Sequence, residues 1–140
     1  MNQRPFYSDA VSGWPLVVRR MVGLANASLQ QLAMILGDTS RLANLGGPEA
    51  NPTPEELQQY TRITPPLWLA KTTLFLMLQM PQKPQPESPE EHAAWAYLWL
   101  RIKTFDSEAA AIMALPLHLK KALAPWVSLA WEDVKQQRLL

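Results

Sequence analysis

The chain contains no cysteine, which removes thiol nucleophiles, disulfides and cysteine-based zinc sites in one step. Histidine is scarce as well. His92 sits in the acidic helix opening Glu90-Glu91, and His118 lies between Leu117 and Leu119 with no second ligand at helical spacing, so neither a metal nor a cofactor is expected. A charge excess is also missing. Thirteen basic residues against 12 acidic ones leave a formal net charge of +1, too little to steer the protein to nucleic acid or anionic lipid. The basic pairs Arg19-Arg20 and Lys120-Lys121 read as solvated breaks in amphipathic helices, so no nucleic-acid partner is expected.

No segment reaches the roughly 18 uninterrupted apolar residues of a bilayer span. The first residues, Met1 to Tyr7, lack the basic region, apolar run and cleavage site of a secretory leader. A cytoplasmic protein without stable membrane insertion is the expectation. Gly46-Gly47-Pro48 is not followed by the lysine and hydroxyl of a phosphate loop, and Lys71-Thr72-Thr73 lacks the glycines that would precede one. The carboxylate pairs Glu55-Glu56 and Glu90-Glu91 stand where negative charge suits a helix start. No acid, base or nucleophile is placed by a catalytic pattern, so the chain is read as not an enzyme.

What the sequence does hold is apolar bulk divided by proline: 48% hydrophobic residues, 6 tryptophans, 6 methionines and 13 prolines in 140 residues. That length suits one domain able to bury about two thirds of its unfolded surface. The most apolar stretch runs from Pro65 to Met80, with Thr64 as a possible cap and Pro81 as a stop. Only Lys71, Thr72, Thr73 and Gln79 interrupt it, so it is expected to be a central helix buried on all sides.

Around it the chain reads as an all-α, compact bundle of about six helices with proline-rich connections. Residues 1–13 lack a sustained period and are read as an arm docked through Phe6 and Tyr7, and 14–140 as a single helical domain. Helical spacing runs from Trp14 to Leu36, either as one long helix with a weak point or as two helices split near Asn26, and is ended by Gly37, with a short helix over Arg41 to Leu45. Thr53-Pro54-Glu55-Glu56 and Ser88-Pro89-Glu90-Glu91 are matching helix openings. Between helices, Pro81 to Glu87 is read as an extended spacer. Asp106-Ser107 caps a helix from Glu108 to about Leu115, Pro116 either kinks it or starts a further piece over Leu117 to Leu123, and Pro125 is expected to open the last helix.

Two sets of residues are candidates for function. Trp126 and Trp131, with Leu139 and Leu140, mark the C-terminal helix as a contact element for another protein or a second copy of this chain. The expected role is accordingly a non-catalytic adaptor or assembly factor. In the alternative, Trp68, Met77, Trp95 and Trp99 line a pocket for a hydrophobic ligand, although aromatic and methionine residues at helical spacing are more often core than pocket.

Overall fold

The computed structural model describes residues 5–139, with side chains over 6–135. Within them lie eight helices and no strand: α1 (Pro5–Ser12), α2 (Trp14–Leu24), α3 (Leu29–Leu42), α4 (Pro54–Gln59), α5 (Leu67–Met77), α6 (Pro89–Ile102), α7 (Glu108–Met113) and α8 (Leu117–Leu139). The fold is an all-α bundle. Its start and stop points follow local chemistry. Thr53 and Ser88 accept hydrogen bonds from the Glu56 and Glu91 amides at 3.0 and 3.1 Å, and both glutamate side chains reach back to the cap amides. Ser28 and Gln31 build a third reciprocal cap, and Ser107 accepts from the Ala110 amide at 3.0 Å.

The axis of the bundle is α6. It packs against α1, α2, α5 and α8, while α3 covers α5, α4 rests on α3, and α7 rests on α8. Six consecutive residues, Ala93 to Leu98, are buried, and six residues span more than one and a half turns, so every face is covered at that level. The alanines at 93, 94 and 96 present little bulk, which favours close approach of the neighbouring helices. The α1–α2 junction comes just as near: a methyl group on buried Gly13 would collide with the Glu90 carbonyl oxygen.

Several elements differ from the sequence expectation. Residues 5–12 form a helix, seated through Tyr7 against Tyr97 and Phe6 against Trp126, with ring centroids 5.5 and 6.4 Å apart. The long segment is divided near Asn26 into α2 and α3, in keeping with the second of its two readings. Gly37 does not end α3, which runs on to Leu42 and takes in the first two residues of the expected short helix, the rest of which is a turn. Gly37 instead gives room to the crossing Asn51 side chain, whose Oδ1 accepts from Arg41 Nη2 at 2.7 Å. The chain turns away only at Asn44 and Gly46, both in the left-handed region at φ 62° and 95°.

Pro125 does not begin a helix but lies inside α8. Both Pro125 and Lys121, whose carbonyl loses its helical partner to the proline, are exposed. Water can therefore satisfy that carbonyl, while Leu119, Leu123, Val127, Ala130 and Val134 fill the core along the other side. The spacer between α5 and α6 is held to the domain. Pro84 and Pro86 are buried, and Gln85 Nε2 donates to the His118 carbonyl at 2.8 Å.

The largest correction concerns α5. It begins at Leu67, with Pro66 rather than Thr64 at its cap position, and ends at Met77. It is buried on one side only. Leu69, Ala70, Thr72, Thr73, Leu74 and Met77 face the core, with both threonine hydroxyls donating to carbonyls four residues back at 2.7 Å. Leu67, Trp68, Lys71, Phe75 and Leu78 share the opposite side and are half-buried.

Candidate functional site

The outer side of α5 forms one wall of an open groove. Lys71, Phe75 and Leu78 follow one another at helical spacing, so their side chains lie along one line. Across from Phe75 and Leu78, α6 supplies Trp99 and Ile102, Lys103 follows at its C-terminal cap, and Pro116 of the α7–α8 turn closes one end, enclosing roughly 440 Å³. The trough is apolar, with Gln79 and Lys103 as its polar lining residues.

Trp99 is held in place. Its indole Nε1 donates to the Ala111 carbonyl at 3.0 Å, and its ring lies 5.4 Å from that of Phe105 at 32°. Lys103 Nζ sits 5.1 Å from the centre of the same Phe105 ring. The polar atom of the indole is thus satisfied from behind, and the ring is fixed without help from a ligand.

The charges along this groove are of one sign. Burial depresses the pKa of Lys71, and the like charge of Arg101 depresses it further. Arg101 Nη1 donates to the Tyr97 hydroxyl at 2.9 Å. Among the described residues neither Lys71 nor Lys103 has a carboxylate within ion-pair distance, and no acidic residue lines the groove.

The other polar constellation joins α2 to the start of α6. Arg20 Nε and Nη2 donate to Glu91 Oε2 and Oε1 at 2.6 and 2.8 Å, and Nη2 also approaches Glu87 Oε1 at 3.1 Å. Burial works to raise the Glu91 pKa, but the Arg20 bonds and charge, with the Ser88 and Glu87 amides, outweigh it and leave the carboxyl below its ordinary value. Such a carboxylate is a poor base. It ties two helices together and completes the α6 cap.

The residues singled out from sequence are dispersed. Trp126 is half-buried between Phe6 and His92, whose ring centroid is 5.6 Å away, and Trp131 is half-buried against the core. Among the described side chains of α8 the most exposed large apolar residues are instead Leu117, at 87%, and Leu129, at 60%. Leu140 and the side chain of Leu139 lie outside the described residues. Met77 and Trp95 are fully buried in the core. Trp68 lines a separate depression with Pro48, Tyr60 and Pro66, away from the Trp99 groove. The four pocket candidates are therefore not brought together.

The histidines remain apart in role as well. His92 Nδ1 lies 2.8 Å from the Ser88 carbonyl. His118 Nε2 is buried without a hydrogen-bond partner, and burial, then the charge of Lys83, depresses its pKa. Among the described residues no three His, Asp or Glu side chains form a metal-binding group. No helix there is long and apolar enough to cross a membrane.

Phe75, Leu78 and Ile102 were not singled out by the sequence reading. The available signal was Lys71 itself, which marks one line along an otherwise apolar helix and points to the side that the core does not cover. No protein-family model, curated protein or solved structure matches the chain.

Proposed function

We propose that the protein is a non-catalytic helical interaction module that binds another protein or a second copy of itself. One observation supports this reading above the others: α5 fills the core with one side and still presents Leu67, Phe75 and Leu78 on the other, beside a fixed Trp99. Burying a second apolar side is what association accomplishes, and immobilised tryptophan is favoured at interface centres.

Analytical ultracentrifugation combined with in-cell cross-linking tests the reading. A dimer or a reproducible cross-linked protein partner is expected. A strict monomer that cross-links to no protein in its native cell contradicts it.

A further inference from the structure

We propose that the groove between α5 and α6 receives an amphipathic helix of another protein, whose apolar stripe is flanked by carboxylates. This rests on the interaction reading above and names the site and the chemistry of the partner. A helix laid in a groove offers apolar anchors at positions i, i+3, i+4 and i+7, and the trough of Phe75, Leu78, Trp99 and Ile102 supplies apolar contacts of that kind.

Charge selects among such helices. Lys71 lies one turn before Phe75, just outside the groove lining, Lys103 stands on the opposing wall, and neither has an ion-pair partner among the described residues. Keeping Lys71 half-buried beside Arg101 disfavours its charged form, and an incoming carboxylate would relieve that repulsion. A basic helix would meet Lys103 in the lining and Lys71 one turn beyond Phe75, with no acid in the lining to compensate. Complementarity of this type governs partner choice and on-rate more than total affinity.

The test uses a displayed library of peptides about 16 residues long, with a fixed leucine stripe at helical spacing and randomised flanking positions, selected on the intact protein. Enrichment of Asp and Glu in the flanks is expected. Lys103→Glu and, separately, Lys71→Met should each weaken an enriched peptide about tenfold, with added salt weakening the wild-type complex in the same direction. Leu78→Asp should abolish binding. Circular dichroism and melting of each variant verify that the fold is kept, and Lys103→Glu, at an exposed position, serves if Leu78→Asp does not fold.

Enrichment of neutral or basic flanks, no enrichment at all, or binding indifferent to both lysine substitutions overturns the proposal. So does saturable binding of dodecanoate at the groove without any selected peptide, which would assign it to small anionic amphiphiles. If the library fails while cross-linking still captures a partner through another surface, this proposal falls and the interaction reading stands. A strict monomer without partners removes that reading itself.

Discussion

The middle of α6 is covered on every face, whereas α5, beside it, is covered on one. The two helices differ less in apolar content than in their neighbours: α6 has α1, α2, α5 and α8 around it, while α5 touches α2, α3 and α6 and leaves one side open. Burial is therefore a property of position in the packing, and an apolar circumference shows only that burial is available to a helix. On α6, small alanines and a paired glutamate serve a helix that must be enclosed. On α5, Leu67, Trp68 and Leu78 pack against the core with only part of their surface, and the part they leave open, beside Phe75, is read as a contact surface.

The contrast can be broken by substitution. Trp95→Ala, in the enclosed part of α6, should cost roughly 4 kcal/mol of unfolding free energy in urea titrations, since a large side chain leaves a cavity there. Glu91→Gln comes next. It leaves Arg20 with only the exposed Glu87 and should cost roughly 3 kcal/mol at neutral pH.

The same contact predicts an acid dependence. Because the folded pKa of Glu91 is depressed, its contribution is complete above the unfolded value of about 4.3 and is lost as pH falls through the lower folded value. Melting temperatures of wild type and Glu91→Gln should converge over that interval. A constant difference down to strong acid would remove the ion pair from the account.

On α5 the effects should be smaller. Phe75→Ala is expected to cost about 1 kcal/mol, because the ring is only half-buried and leaves a wider groove rather than a closed cavity. A loss equal to that of Trp95→Ala would place Phe75 in the core. Lys71→Met should change sign and stabilise by about 0.5 kcal/mol, since it removes a half-buried cation next to Arg101 and keeps the aliphatic stem. A lysine with a depressed folded pKa weakens the fold below that pKa. The penalty fades as pH rises toward the unfolded value of about 10.4. The stabilisation by Lys71→Met should accordingly shrink in alkaline solution.

The parts of the fold that sequence could show are those decided within a few residues. The caps at Thr53, Ser88 and Ser107 are local hydrogen bonds, and so are the helices that they open. What it could not show depends on distant partners. Glu91 looks like a solvated first-turn acid until Arg20, 71 positions earlier, reaches it. Gly37 looks like a helix end until Asn51 crosses it, and Pro125 looks like a start until the exposed side of α8 leaves the Lys121 carbonyl to water. The candidate site was legible only in part. Trp99 was singled out for a pocket with Trp68, Met77 and Trp95, but only tertiary packing separates it from the buried Met77 and Trp95 and from Trp68 in another depression.

The claim that α5 is open on one side and α6 closed in its middle is tested most directly by carbene footprinting of the folded protein, read residue by residue by mass spectrometry. Labelling is predicted at Phe75, Leu78, Trp99 and Ile102, with Leu74, Met77, Trp95 and Leu98 protected until the protein is denatured. Protection of the first four equal to that of the second would contradict the account, because the outer side of α5 would then be core and no groove would exist there.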